Sequence, residues 1–218
     1  MSPIADSPRL PLIDLSLFDA GDPWRDHVAV QVDWAARHFG FFYVVRHDIE
    51  AGIVQDMLEE LPASGDAVRD YTSALTGLGH RLMTSIGRGL GLGDTYFVDH
   101  FTGNPTTQFH ASCPGAGEPS TQGLLTLLYQ DEPGGLQVTH GDAWIDVPFV
   151  AGSFVIGVGE LLERFTEGRY VSRRHRIVDC TNRARTTVFT SGNVIRMPEV
   201  TWRPRAPFTT ANAPSAAS

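Results

Sequence analysis

Midway along the chain the hydrophobic period changes from that of helices to that of short strands, and this limits the fold to few architectures. Asp26 to Phe39 places Val28, Val32, Ala35, Ala36 and Phe39 at helical spacing, so an amphipathic helix is expected there. Gly40 ends it, and the β-branched and aromatic run Phe41 to Val45 reads as a strand. A second helix is predicted from about Ile49 to Leu61, stopped by Pro62, and a third from Val68 to Leu90. An opening strand over Leu10 to Leu15 precedes them. Beyond residue 100 the pattern is short apolar runs between Gly, Pro and Asp turns: Leu124–Tyr129, Gly135–Val138, Trp144–Val147, Ser153–Ile156 and Arg185–Phe189. Helices first and strands afterwards predict an α+β chain. Its N-terminal helices would pack on a double-stranded β-helix (jelly-roll) core, expected to be incomplete.

The 218 residues can hold one sizeable core, so a single domain over 1–218 is expected. Its parts would be a strand and helix region at 1–62, helices at 63–100, the jelly-roll core at 101–205 and a disordered Pro/Ala/Ser/Thr tail at 206–218. No run of about 18 apolar residues occurs, and no membrane span is expected. The start of the chain lacks a basic region followed by an apolar one, so no secretory signal is expected. Cys113 and Cys180 are too few for a disulfide framework, which points to a reducing cytoplasm. A net charge of −8 argues against tracking nucleic-acid phosphates. All 17 basic residues are arginine. The absence of lysine excludes lysine Schiff-base chemistry, pyridoxal-phosphate anchoring and a P-loop.

The stretch Gly159 to Val178 contains Gly168-Arg169-Tyr170 and then His175, and Arg185-Thr186-Thr187 follows ten residues after that histidine. This block resembles the C-terminal core of the isopenicillin N synthase-like branch of the Fe(II)/2-oxoglutarate-dependent oxygenases. Leu10–Leu15 with Ala36–His47 is similar to that family's N-terminal strand, helix and strand. Leu124 to Asp131, Gly134–Val138 and Trp144–Pro148 resemble its central jelly-roll strands. The resemblance implies an oxidoreductase, a dioxygenase using iron and 2-oxoglutarate on a small organic metabolite. It makes His175 the metal ligand and Arg185 with Thr187 the clamp for the cosubstrate carboxylate. Non-haem iron in such proteins is held by two His and one carboxylate on one face, with positions open for cosubstrate and O₂. An Arg fork suits the far carboxylate, and a hydroxyl supports it.

Two regions are shorter than the family pattern, between Glu60 and Val68 and between Phe109 and Gly123. The second should carry a tyrosine-bearing strand and then a His-x-Asp metal pair. Anchored on Leu124–Leu128, the His falls on Pro119 and the Asp on Thr121. Proline has no ligand atom, and a neutral hydroxyl substitutes poorly for a carboxylate. A pseudoenzyme therefore stands as the alternative: a non-catalytic family member binding a small carboxylate ligand or a protein partner.

Other motifs have plainer readings. His140-Gly141-Asp142 spells His-x-Asp but lies too close to His175 and carries hairpin-turn chemistry. His110 and Glu118 flank the shortened region and could supply a rebuilt site with His175. The glycine-rich run Gly87–Gly93 follows a helix rather than a strand, so it reads as a helix ending rather than a dinucleotide loop. Glu163, Arg164 and Glu167 read as a solvated charged segment. Arg169, Arg173, Arg174 and Arg176 would line a pocket mouth or pair with acids. His47 and His80 read as packing or hydrogen-bonding histidines, and neither cysteine sits in a nucleophile pattern.

Overall fold

The structure is a computed structural model that describes residues 9–59, 65–102, 106–112, 123–130, 132, 134–178 and 185–191. The chain opens with strand β1 (Leu12–Asp14), helix α1 (Ser16–Asp19), helix α2 (Trp24–His38) and strand β2 (Phe41–Val45). Helices α3 (Ala51–Glu59) and α4 (Gly65–Gly89) follow, then a π-helical turn at Val98–Thr102. The β part contains β3 (Thr106–Ser112), β4 (Leu125–Tyr129), β5 (Leu136–His140), β6 (Ala143–Val147) and β7 (Ser153–Val158). Helix α5 (Glu160–Phe165), β8 (His175–Ile177) and β9 (Arg185–Ser191) complete it.

The strands form a six-stranded sheet in the order β1-β2-β7-β4-β9-β3 and a three-stranded sheet in the order β6-β5-β8. Only β1 and β2 pair in parallel; the other described pairs are antiparallel. Two packed sheets with helices on one outer face are the jelly-roll architecture expected from the sequence.

The large sheet is apolar on both faces because its central strands carry apolar residues at consecutive positions. Side chains alternate across a strand, so each run serves two cores. Phe42, Val44, Leu125, Leu127, Phe154, Ile156 and Val158 join Val28, Val32, Leu75, Leu78 and Leu82 of α2 and α4 in a helical-side core. Phe41, Tyr43, Leu128 and Val155 face the other way and meet Leu136, Val138, Ile145 and Val147 of the small sheet. Three layers result: helices, large sheet and small sheet.

Several expectations were close in place and differ in extent. The opening strand covers Leu12–Asp14 rather than Leu10–Leu15, and the second helix ends at Glu59, with residues 60–64 outside the description. Helix α4 starts at Gly65, earlier than Val68. It ends at Gly89, where Leu92 N–H bonds to the Gly87 carbonyl and Gly91 has a φ of 73°. The glycine run is thus a helix ending, as expected. β3 (Thr106–Ser112) runs into the start of the region read as shortened, and it forms an edge of the large sheet beside β9. The tail at 206–218 lies outside the described residues.

Candidate active site

His175 opens β8, directly opposite Val138 of β5. Val138 belongs to the inter-sheet core, and directly paired residues share a face, so His175 sits on the inner face of the small sheet. It is 2% exposed. The Phe41 ring meets it edge-on, with centroids 5.7 Å apart at 63°. Phe41 itself lies over Gly157, its strand partner; a Cβ there would come within 2.6 Å of the ring. Glycine at 157 is what lets the phenyl ring reach the histidine. Burial pushes the His175 pKa down to about 4, opposed in part by the Arg173 backbone. The imidazole is therefore neutral at pH 7, and its buried Nδ1 makes no hydrogen bond of good geometry among the described residues.

The approach to His175 is fixed from two distant elements. Tyr170 is fully buried and its hydroxyl donates to Asp33 Oδ1 of α2 at 2.9 Å. Asp33 also pairs with Arg37 at 2.7 Å and Arg169 at 3.4 Å. Burial, together with the Asp33 charge, holds the Tyr170 phenol well above its ordinary range. Tyr170 N–H bonds to Thr166 Oγ1 at 3.1 Å, and Ser172 N–H donates to Glu163 Oε1 at 3.0 Å. Glu163 thus tethers the segment that carries His175, which corrects its reading as part of a solvated charged segment. Asp33 and Glu163 are positioning residues that the sequence does not single out. Their partners lie on other elements or across a turn, and no local motif links them.

β9 places the other two expected residues. Arg185 is opposite Ser112 of β3, and Thr187 is opposite both His110 of β3 and Leu128 of β4. Leu128 is an inter-sheet core residue. The register positions of Arg185, Thr187 and His110 therefore share the large-sheet face that looks toward the small sheet. By backbone register the expected clamp positions lie on the large sheet and His175 on the small one.

Pro119, Thr121, Glu118, Cys113 and Cys180 lie outside the described residues. Among the described residues no group of three His, Cys, Asp or Glu side chains is close enough to hold a metal ion. His175 fits one place in an Fe(II) ligand set, and the described residues do not complete the set. His140 and Ala143 close a hairpin around Gly141 (φ 60°) and Asp142, which is the turn expected there.

The arginine cluster divides. Arg169 pairs with Asp33, whereas Arg176 lies 4.1 Å from the Trp144 ring centroid and donates to Gln137 at 2.9 Å. His80 bonds to the Thr102 carbonyl at 2.9 Å. His47 accepts from Ile49 N–H at 3.1 Å and packs edge-on to Phe154. Both histidines are structural, as read from the sequence.

Comparison with known proteins bears on the family and the fold. The family model for the 2OG-Fe(II) oxygenase superfamily matches residues 103–192. The model described as non-haem dioxygenase in morphine synthesis N-terminal matches residues 10–63. A probable iron/ascorbate oxidoreductase of Dictyostelium discoideum is 30% identical over 177 residues, 70% of this chain and 47% of that protein. The 1-aminocyclopropane-1-carboxylate oxidase homolog 1 of Arabidopsis thaliana is 34% identical over 130 residues, 55% of this chain and 36% of that protein. The chain thus spans less than half the length of these curated relatives. The dioxygenase for auxin oxidation 1 from Arabidopsis thaliana, solved with 2-oxoglutarate, superposes with a TM-score of 0.66 at 18% identity, over 84% of this chain and 92% of that one. JOX2 in complex with 2OG, Fe and JA gives a TM-score of 0.69 at 20% identity, over 85% of this chain and 75% of that one. At these identities the structures establish the shared fold. From the two family matches, the sequence relatives and the fold, the chain belongs to the 2OG-Fe(II) oxygenase superfamily.

Proposed function

We propose that the chain oxidises a small organic molecule by the Fe(II)/2-oxoglutarate route of its family, between the two sheets beside His175. The observation that carries this reading is the placement of His175: buried on the inner face of the small sheet, with Nδ1 unpaired among the described residues. Neutral imidazole is the form that ligates metals, and a site kept neutral by burial loses nothing to deprotonation at pH 7. In this reading Arg185 forks the far carboxylate of 2-oxoglutarate and the Thr187 hydroxyl supports it. Bound Fe(II) and 2-oxoglutarate supply the oxidising chemistry, while the chain binds, orients and excludes water. His110, next to Thr187 in register, is the candidate for a further donor.

The sequence register raises a second reading. Anchored on Leu124–Leu128, the family's His-x-Asp pair falls on Pro119 and Thr121, which supply no carboxylate and no imidazole. On that ground the chain binds a small carboxylate without oxidising it. An aerobic assay of 2-oxoglutarate conversion to succinate, with added Fe(II), separates the two. The first reading predicts succinate formation that His175→Ala and Arg185→Ala each reduce by at least 100-fold. Retained 2-oxoglutarate binding with no succinate would establish the second.

A further inference from the structure

Three buried nitrogens without hydrogen-bond partners among the described residues gather at one end of the small sheet: His140 Nδ1, Arg173 Nε and His175 Nδ1. They are neighbours by register. His175 is opposite Val138, and Thr139 N–H bonds to the Arg174 carbonyl at 2.9 Å, which brings His140 beside Arg173. They are also neighbours by contact with three consecutive residues where α2 meets β2. The His140 ring stacks on Phe39 at 5.4 Å, and the His175 ring meets Phe41 at 5.7 Å. Between them, a Cβ built on Gly40 would lie 3.0 Å from Arg173 Cγ. Buried polar atoms are ordinarily paired, and three unpaired ones side by side call for a common partner.

The chemistry of the three selects that partner. A guanidinium Nε–H can only donate, and each imidazole can donate from Nδ1. No carboxylate among the described residues pairs with Arg173, so its charge has no counterion there. A cation offers no acceptor to that guanidinium N–H, and an apolar group would leave all three donors unmet. A planar oxyanion with several lone pairs satisfies them together. We propose that Arg173, His140 and His175 form a carboxylate-binding subsite between the sheets, and that the molecule acted upon is a small carboxylic acid docked there. A carboxylate accepting from His175 Nδ1 also fixes the tautomer that leaves Nε2 bare. The statement about the acted-upon molecule rests on the oxidative reading above; the subsite itself does not.

The test is a sodium acetate titration of the full chain labelled with ¹⁵N-histidine, in EDTA, with sodium chloride as the control for ionic strength. The side-chain nitrogens of His140 and His175 should shift together with one saturating dissociation constant. Arg173→Met, which keeps most of the stem without the charge, should raise that constant at least tenfold. Arg173→Lys should recover part of the loss, and Arg185→Gln should leave it unchanged. Absence of a shift, an equal shift with chloride, or a shift indifferent to Arg173→Met would overturn the subsite. A loss in Arg185→Gln as large as in Arg173→Met would show the acetate to occupy the 2-oxoglutarate clamp, and would overturn it too. If Arg173→Met does not fold, His140→Gln takes its place with the same tenfold expectation. Because the titration runs in chelator, absence of succinate in the turnover assay would defeat the oxidative reading while leaving this result standing.

Discussion

The two faces of the large sheet are built from the same strands and solve different problems. The helical face is closed by α2 and α4 over a continuous apolar cluster, in which Phe42, Val44, Leu127, Phe154 and Ile156 are fully buried. The Tyr170 hydroxyl there is paired, and Tyr71 is the one member of the cluster whose hydroxyl is buried without a partner among the described residues. The inner face mixes Phe41, Leu128 and Val138 with His175, His140 and Thr126, the last three each with a buried polar atom unpaired among the described residues. Unpaired buried donors cost about 1–3 kcal/mol each, so the inner face gives up stability that the helical face supplies. In the proposed reading, such a division places binding chemistry where packing is least complete.

The largest expected effect breaks the helical side. Phe154→Ala should cost about 3–5 kcal/mol of unfolding free energy, because a fully buried phenyl ring packed against His47 and Tyr129 leaves a cavity in the helical-side core. Urea denaturation measures it, and 2-oxoglutarate affinity of the remaining folded protein should be unchanged. A loss of affinity with no loss of stability would invert the comparison.

Acid tests the inner face next. The folded-state pKa of His175, about 4, lies below its ordinary 6.5. Below pH 6.5 the unfolded chain takes up a proton that the folded chain refuses. The stability is therefore present in full above pH 6.5 and is lost as pH falls toward 4. At 1.36 kcal/mol per pH unit the total is about 3 kcal/mol. His47 is lowered by burial in the same sense, so the contribution of His175 is the part of the pH slope that His175→Leu removes, with EDTA present throughout.

A smaller effect is expected where helical and inner sides are tied together. Tyr170→Phe leaves Asp33 with its arginine partners and removes one charge-assisted bond, for a loss of about 1.5–3 kcal/mol. Because Tyr170 anchors the segment that reaches His175, Fe(II) affinity should also fall, by several-fold. Calorimetric titration would show whether stability falls alone, which would make the tie structural only. Smallest of all is His175→Leu at neutral pH. Replacing an unpaired buried imidazole by an apolar side chain of similar size should be neutral or stabilising by about 1 kcal/mol, while metal binding is lost. A destabilisation above about 2 kcal/mol would mean that the imidazole is already satisfied.

The helical half and the central strands were legible in the sequence because each has a run long enough to show its period. The helix at Asp26–Phe39 and the strand at Phe41–Val45 are examples, and the latter's bounds agree with β2. β8 has three residues and α5 six, too few to express a period, and β3 is a run rich in threonine and polar residues. The position of His175 was legible through its resemblance to a family motif. Its neutral, unpaired state was not, because burial there depends on Phe41 crossing from β2 over Gly157. Asp33 was equally hidden: it meets Tyr170 across 137 positions, and only the folded chain brings the two together.

The measurement that bears most directly on this account is an anaerobic titration with Fe(II) and 2-oxoglutarate, followed by visible absorbance. The account predicts a metal-to-ligand charge-transfer band that saturates with both components and is abolished in His175→Leu and in Arg185→Ala. A folded chain that develops no such band, or one in which His175→Leu leaves the band intact, would contradict it.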